Sequence, residues 1–284
     1  MCLAILFLVY FFSVLFLSTF FFPMPINDAG IVRYRTIPWM TLALILVNTV
    51  VFAAWLAPDL YTPTSEETMM EPTDSYINKI NTYGFSETNL RDPASVGALT
   101  TLTSMFMHAD LWHLFGNMLF LWAFGRRVED ACGAWRYLLF YLVAGMVANV
   151  GSVIANPALN ELPGIGASGA IAGVMGAYLL LFPGAQLVTL WGLGTILRVP
   201  IALFRKLMGQ DAKLWKSTVS LPAWLLLIEF AVENTIPSLE TIVQGTDTGG
   251  VNYLAHLTGF LAALTIFLFV RKDLLLRYVS GRSL

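Results

Sequence analysis

The sequence is short of charge and of cysteine, and each shortage excludes classes of protein. Only 12% of the residues are charged, whereas a soluble domain carries about 25%, so the chain lacks the ionic side chains that cover a water-exposed surface. The net charge of −2 gives no reason to expect a nucleic-acid partner. Cys2 and Cys132 lie far apart and fit neither a disulfide framework nor a CxxC metal site.

Long apolar runs take the place of the missing charge. Hydrophobic residues make up 57% of the chain, and they are gathered in blocks close to the length of about 20 residues that crosses a bilayer as a helix. We therefore predict an all-α membrane protein with six core helices. The predicted spans are residues 39–57, 109–125, 136–155, 167–183, 221–236 and 252–270.

A further hydrophobic segment, residues 1–23, precedes the six spans. It lacks the basic start and the cleavage site of a signal peptide, so it is either an artefact of start-site choice or, as we favour, an extra N-terminal helix. Residues 24–284 are then the membrane domain, with an outward loop at 58–107 and a cytoplasmic loop at 184–220. Within the latter, the apolar stretch 187–197 is too short to cross and is predicted to be re-entrant or interfacial.

The basic residues predict the orientation, because lysine and arginine accumulate in cytoplasmic segments. The segments on one side of the predicted spans hold nearly all of them, and the opposite side holds only Lys79 and Arg91. Both ends of the six-span core therefore face the cytoplasm, in what we expect to be a prokaryotic plasma membrane. The cytoplasmic set comprises Arg33, Arg35, Arg126, Arg127, Arg136, Arg198, Arg205, Lys206, Lys213, Lys216, Arg271, Lys272, Arg277 and Arg282.

The three histidines of the chain all fall at outward ends of predicted helices. His108 and His113 open the second span, and His256 comes early in the sixth. Ser168 begins the fourth span, just past an outward loop. Ionisable groups within a membrane are costly and mark functional sites, so four such residues at one depth predict a site a few residues below the outer interface.

The residue types predict acyl-transfer chemistry. A serine hydroxyl becomes a nucleophile when a base accepts its proton, and neutral histidine is the usual base, which pairs Ser168 with His256. Small residues on both helices, Gly169 and Gly173 on one and Gly259 on the other, allow the close approach that this pair requires.

Acyl transfer also requires donors aimed at the developing oxyanion. His113 and Asn117 are four residues apart and share a helix face, and the backbone N–H of Ser168 is a third candidate donor. His108 is about 140° around the helix from His113 and should not share its aim.

Other interpretations of the same residues are weaker. Taken alone, the Gly-x-Ser-Gly sequence is more often a packing motif. Asn117 taken alone is as often a hydrogen bond between helices as a functional residue, and a single intramembrane histidine is as often structural as functional. A metal site is also weaker than a Ser–His dyad, because HExxH is absent and the spacing of His108 and His113 scatters their rings.

With these motifs in hand, the chain resembles the rhomboid family of intramembrane serine proteases, from about residue 24 to residue 271. The resemblance implies a six-helix rhomboid-like bundle with Ser168 as nucleophile and His256 as general base and acid. The motifs that carry it are His108-Ala-Asp-Leu-Trp-His113-Leu-Phe-Gly-Asn117, Gly166-Ala167-Ser168-Gly169 and Ala255-His256-Leu-Thr-Gly259.

The resemblance extends to supporting residues and partners. It implies His113 and Asn117 as oxyanion donors, His108 as a structural neighbour and Glu129 as a structural hydrogen-bonding residue away from the chemistry. It also implies a lipid bilayer and transmembrane protein substrates as partners, a movable fifth helix as substrate gate, and no cofactor or metal. Ala172 stands where some relatives have an aromatic residue that stacks on the histidine, which leaves open what orients His256.

Two rival functions belong to other classes. A non-catalytic relative that binds or escorts membrane helices would usually lack the serine or the histidine, and this chain has both. A transporter would place substrate-sized polar groups at the bilayer midplane between broken helices, and the sequence offers no convincing set.

Overall fold

The computed structural model describes residues 22–29, 37–60, 73–91, 96–155, 163–210, 218–244 and 251–270. The predicted N-terminal helix, apart from its last two residues, lies outside the described residues. So do several basic residues on which the predicted orientation rests, among them Arg33, Arg35 and all those after residue 270.

The described part of the chain is mostly helical and falls into two compact units. The smaller unit draws on the ranges Met1–Val32 and Gly184–Leu226, and the larger on Arg33–Pro183 and Leu227–Leu284. In chain order the main elements are β1 (Met24–Asp28), α1 (Trp39–Leu60), α2 (Asp74–Tyr83), α3 (Glu87–Arg91), α4 (residues 111–132), α5 (Ala134–Ala155), α6 (Ser168–Leu181), β2 (Gln186–Leu190), α7 (Gly192–Leu207), β3 (Thr218–Pro222), α8 (Ala223–Gln244) and α9 (Tyr253–Val270).

Each of the six predicted spans corresponds to a helix. Two of these helices, Trp39–Leu60 and Ala134–Ala155, are long and apolar enough to cross a membrane by length and composition, and Ser168–Leu181 and Tyr253–Ile266 are shorter apolar helices. The mostly helical fold is therefore confirmed, whereas a bundle of six membrane crossings stays a prediction.

The second predicted span is longer than the sequence indicated. The predicted span ends at residue 125, but α4 continues to Cys132. Arg126 donates from Nε to the Trp122 carbonyl oxygen at 2.8 Å, and the Arg127 guanidinium lies 4.2 Å from the centre of the Phe182 ring. Both charges thus lie against aromatic side chains or helix backbone, and the helix accommodates them.

Helices α5, α6 and α9 form the packed centre of the larger unit, and glycine makes their close approach possible. A Cβ added to Gly173 would lie 2.6 Å from the Ala144 Cβ, and one added to Gly169 would lie 2.7 Å from the Ala148 Cβ. A Cβ on Gly259 would overlap the Gly169 carbonyl oxygen. The three helices therefore meet backbone to backbone, as small residues permit in membrane helices.

The segment predicted as the outward loop, 58–107, contains helices α2 and α3 and a series of short helical turns at 97–106. It packs against the end of α1, because Lys79 forms an ion pair with Asp59 at 2.6 Å and donates to the Trp55 carbonyl oxygen at 2.6 Å. Its buried residues share a hydrophobic cluster with α1 and α4. The buried members are Phe52, Leu56, Tyr76, Met107 and Leu114.

The smaller unit corrects two predictions. Its three strands form an antiparallel sheet in the order β1-β2-β3, so the all-α class is wrong for this part of the chain. The stretch 187–197 is wrong as one continuous segment, because it consists of most of strand β2 followed by the start of helix α7; its re-entrant or interfacial position stays a prediction. The five-residue strands are too short to give a clear alternation, and β1 pairs with β2 across a long sequence separation.

Candidate active site

Ser168 is the first residue of helix α6, at a helix start that has no side-chain cap. Ala167 occupies the N-cap position and offers no hydrogen-bonding side chain. Gly166, before it, has φ of +126°, a value that favours glycine, and its N–H donates to the Ser104 carbonyl oxygen at 2.9 Å. The first N–H groups of a helix have no acceptor within the helix, so the Ser168 N–H is directed out of the helix end.

His113 lies in the first turn of α4 and faces this helix start. The Asp110 carboxylate caps α4 by accepting from the His113 backbone N–H at 2.8 Å. A Cβ added to Gly166 would lie 2.7 Å from His113 Nε2 and 3.6 Å from Ser168 Oγ. The imidazole edge and the serine hydroxyl therefore converge on the same face of Gly166.

The tautomer of His113 follows from its other nitrogen. The Ala109 N–H points at His113 Nδ1 at 3.4 Å, which makes Nδ1 the acceptor. A neutral imidazole carries one hydrogen, so that hydrogen is on Nε2, the atom that faces Gly166. This tautomer suits His113 as a hydrogen-bond donor toward Ser168.

Asn117 lies one turn further along α4 and is buried. Its Nδ2 donates to the His113 carbonyl oxygen at 3.0 Å, which fixes the direction of the amide. An amide NH2 group has two hydrogens, so this bond uses one of them and leaves the other for an acceptor on the same helix face.

His108 lies before α4 rather than on it, because the Asp110 cap starts the helix at Leu111. The expected separation of about 140° from His113 is therefore wrong, since it assumes that both residues are helical. The His108 side chain is fully buried and packs edge to face on His113, with ring centres 5.1 Å apart.

His256 lies in the first turn of α9, which Asn252 caps. Asn252 Oδ1 accepts from the Ala255 N–H at 2.9 Å, and the Asn252 carbonyl oxygen accepts from the His256 N–H at 3.2 Å. The capped turn lies against α6, since a Cβ on Gly169 would be 3.6 Å from the Ala255 carbonyl oxygen. The neighbours of Ser168 and of His256 in the chain are thus in direct contact.

The described contacts of Ser168 and His256 include no hydrogen bond between the two side chains. His256 Nδ1 instead lies 2.8 Å from Asn234 Oδ1 on α8, and the His256 ring lies 6.0 Å from the Phe230 ring, also on α8. The helices place the serine and the histidine at adjacent starts, and α8 contacts the Nδ1 edge of the imidazole.

Asn234 was missed in the sequence analysis. A signal was present, since Asn234 is an uncharged polar residue within an apolar helix and lies four residues after Phe230. Polar residues at such positions face the interior of a helix bundle, and Asn234 is 4% exposed. The contact with His256 could not be read from the sequence.

Glu129 lies at the other end of α4, away from Ser168. Its carboxylate accepts from the Met40 N–H at 2.9 Å, the Thr41 N–H at 2.8 Å and the Thr41 hydroxyl at 2.7 Å. These bonds satisfy the start of α1. No group of three histidine, cysteine, aspartate or glutamate side chains converges as metal ligands in the described ranges.

Comparison with known proteins identifies a family whose model matches this part of the chain. A family model described as Rhomboid domain matches residues 97–273, a range that includes Ser168 and all three histidines. The chain is 30% identical over 150 residues to Rhomboid protein 1, mitochondrial, of Saccharomyces cerevisiae, which covers 51% of this chain and 37% of that protein.

Two further relatives show the same pattern of partial coverage. Rhomboid protease GluP of Bacillus subtilis is 37% identical to this chain over 102 residues. The match covers 36% of this chain and 19% of the length of that protease. Presenilin-associated rhomboid-like protein, mitochondrial, of Homo sapiens is 29% identical to this chain over 150 residues. The match covers 52% of this chain and 34% of the length of that protein. The chain thus spans well under half the length of each of these relatives.

Proposed function

Because the chain belongs to the rhomboid family, whose members are embedded in membranes, we propose that it is an intramembrane serine endopeptidase. It hydrolyses peptide bonds in or near the transmembrane helices of membrane-protein substrates by means of a Ser–His dyad. The observation that carries the proposal is the convergence of the His113 Nε2 edge and the Ser168 hydroxyl on Gly166, at an uncapped helix start. A relative named as a rhomboid protease supports the same activity.

In the first step, His256 Nε2 accepts the proton of Ser168 as Oγ attacks the scissile carbonyl carbon. The new C–O bond pushes the carbonyl electrons onto oxygen, giving a tetrahedral oxyanion. The side chains of His113 and Asn117, together with the Ser168 N–H, are the donors available to that oxygen, and preorganised donors are the largest single source of such catalysis.

In the second step, the protonated His256 donates its proton to the departing amine nitrogen, and the C–N bond breaks. A water molecule then attacks the acyl–serine ester while His256 accepts one of its protons. Collapse of this second oxyanion releases the carboxylic acid and returns the proton to Ser168 Oγ. Each step needs only residues of this chain and water, and no cofactor.

Substrate backbone must leave its helix to reach the serine, because helical peptide groups are already hydrogen-bonded and shielded. We therefore expect cleavage sites with small residues beside helix-weakening ones. We also propose that the site opens on the non-cytoplasmic side, which the basic residues of the predicted cytoplasmic segments support. Protease protection of an N-terminal and a C-terminal tag in sealed vesicles tests this orientation. The prokaryotic plasma membrane stays a prediction, and two relatives are mitochondrial by name.

The test is cleavage of a single-span membrane substrate in liposomes by wild type, Ser168→Ala and His256→Ala. We expect both variants to lose activity by about 10³-fold or more, since the nucleophile and its base act as a unit. A metal chelator should have no effect. Ser220→Ala is the matched control, because Ser220 is an exposed serine on β3 in the smaller unit.

Cleavage that survives Ser168→Ala overturns the mechanism. A folded wild type that binds transmembrane helices and cleaves none of several substrates overturns the protease function and favours the alternative, a non-catalytic rhomboid-like binder or escort of membrane helices.

A further inference from the structure

We propose that Asn234 is a positioning residue, which holds His256 in the tautomer that carries its hydrogen on Nδ1 and leaves Nε2 to accept the proton of Ser168. The proposal rests on the proposed function for its catalytic consequence, but its structural part concerns the histidine alone. It supplies the group that orients His256, where Ala172 offers no aromatic ring.

The contact is short and buried. Asn234 Oδ1 lies 2.8 Å from His256 Nδ1, and the asparagine is 4% exposed. At this distance the two atoms form a hydrogen bond, so one of them must carry the hydrogen. Which atom does so determines the chemistry of the ring.

The backbone of α8 fixes the direction of the Asn234 amide. Its Nδ2 donates to the Phe230 carbonyl oxygen at 2.7 Å. Rotating the amide by half a turn would set Oδ1 against that carbonyl oxygen, two acceptors facing each other, so the hydrogen-bond network assigns Oδ1 to the histidine side. An amide oxygen can only accept, and His256 Nδ1 is therefore the donor.

The tautomer of His256 follows. A neutral imidazole carries a single hydrogen, and with that hydrogen on Nδ1 the other nitrogen, Nε2, has a free lone pair. The His113 ring has the opposite tautomer by the same reasoning, because its Nδ1 accepts from the Ala109 N–H. One histidine is thus set up as a base and the other as a donor.

The orientation of the His256 ring is held from the same helix. Phe230 and Asn234 are four residues apart and lie on one face of α8, and the Phe230 ring is inclined by 31° to the imidazole at 6.0 Å. The amide fixes one edge of the ring, and the phenyl group lies beside the ring. Together they play the part of the third group that orients the base in a nucleophile–base pair.

The contact strengthens during the reaction. When the Ser168 proton arrives at Nε2, the imidazole becomes a cation, and hydrogen bonds from ionised donors are stronger than neutral ones. The Nδ1 hydrogen stays on Nδ1 throughout, while the transferred proton moves from Oγ to Nε2 and then to the leaving amine nitrogen.

The kinetic test compares Asn234→Leu with Asn234→Asp. Leucine keeps the size and removes the acceptor, so we expect kcat to fall by about 10- to 100-fold with KM unchanged. Aspartate keeps an acceptor oxygen toward His256, and with a proton on its other oxygen it still donates to the Phe230 carbonyl oxygen, so it should recover most of kcat. The matched control is Thr235→Val on the same helix, which removes only a hydroxyl bonded to the Ala231 carbonyl oxygen and should leave kcat unchanged.

The spectroscopic test needs no substrate. Nitrogen chemical shifts of isotope-labelled histidine distinguish the two tautomers, and the signal that vanishes in His256→Ala belongs to His256, one of three histidines. We expect the Nδ1–H form in wild type and a mixture of tautomers in Asn234→Leu.

The Nε2–H form in wild type, or wild-type kcat in folded Asn234→Leu, overturns the proposal. If Asn234→Leu does not fold, the wild-type tautomer and the Asn234→Asp kinetics decide. A wild type with the expected tautomer that cleaves no substrate supports the positioning role and counts against the protease function alone.

Discussion

Two helix starts in the larger unit differ in how the backbone N–H groups of their first turn find hydrogen-bond acceptors. Helix α1 begins with N–H groups that a remote carboxylate, Glu129, satisfies with hydrogen bonds at 2.8 and 2.9 Å. Helix α6 begins at Ser168 behind Ala167, which has no side chain that can accept. One start is saturated by the protein, and the other presents its donors to whatever binds there.

The difference separates a structural end from a reactive one. The unpaired N–H groups at a helix start attract negative charge, so a carboxylate placed there stabilises the fold but occupies the donors. At α1 the donors are occupied and Glu129 is buried. At α6 the donors lie beside His113, and we propose that an oxyanion would gain from them there. Three substitutions test this comparison.

The largest effect is expected from Gly166→Ala, which alters the reactive start. The new methyl group would lie 2.7 Å from His113 Nε2 and would push the ring away. Loss of one oxyanion donor costs about 10²- to 10³-fold in kcat, so we expect a loss of about 100-fold or more in substrate cleavage, with folding largely retained.

Gly133→Ala is the control for backbone strain in this comparison. Gly133 also has a positive φ, +84°, but no heavy atom lies within 4 Å of a Cβ added there. The Gly133→Ala variant should therefore lose stability and keep the kcat of the wild type. Equal kcat in Gly166→Ala and wild type would contradict the assignment of His113 as a donor.

A smaller effect, and of the opposite kind, is expected from Glu129→Ala at the structural start. It leaves the buried Met40 and Thr41 donors without their acceptor, and hydrogen bonds to charged groups are worth about 1.5–3 kcal/mol each. We expect a loss of about 3 kcal/mol in unfolding free energy, measured by thermal unfolding in detergent.

The activity of the folded fraction should not change in Glu129→Ala, because Glu129 is remote from Ser168. Glu129→Gln, which keeps one acceptor oxygen, should lie between the variant and wild type in stability. A fall in kcat without a fall in stability would show that Glu129 contributes to catalysis, and the two helix starts would then not differ in role.

The smallest effect is expected from Asn252→Ala, which removes the cap of α9. Loss of an N-cap costs about 1 kcal/mol, and because His256 lies in the capped turn we also expect kcat to fall by less than about 10-fold. Asn252→Asp keeps the acceptor for the Ala255 N–H and should retain both properties. Unchanged melting temperature and kcat in Asn252→Ala would show that the packing of α9 on α6 alone holds this turn.

Helical segments were the predictable part of the fold, because their signal is local. Apolar runs near the length of a bilayer crossing located all six helices, and errors fell at their ends, as with α4, whose arginines lie along their own helix or on Phe182. The sheet of the smaller unit was not predictable in this way, since β1 pairs with β2 across a long sequence separation and neither five-residue strand has a distinctive pattern.

The residues of the candidate site likewise fall into those that the sequence could identify and those that needed the structure. Ser168, His113, Asn117 and His256 could be named from the sequence because scarce polar residues in apolar helices stand out. The position of His108 relative to His113 was misjudged, since the cap at Asp110 starts the helix after His108; its role as a structural neighbour stays a prediction. Asn234 was overlooked, because the residue that it contacts lies on another helix.

The sequence by itself determined the mostly helical character of this protein, its family, and the polar residues that gather at helix starts. These follow from composition, hydrophobic run length and short motifs, all of which are local along the chain. Only the tertiary structure decided the hydrogen-bond partners of the His113 and His256 rings, which helix start is capped and which residue faces His256. Those properties depend on single hydrogen bonds between distant segments, whose partners are fixed by the packing of helices and not by any interval in the sequence.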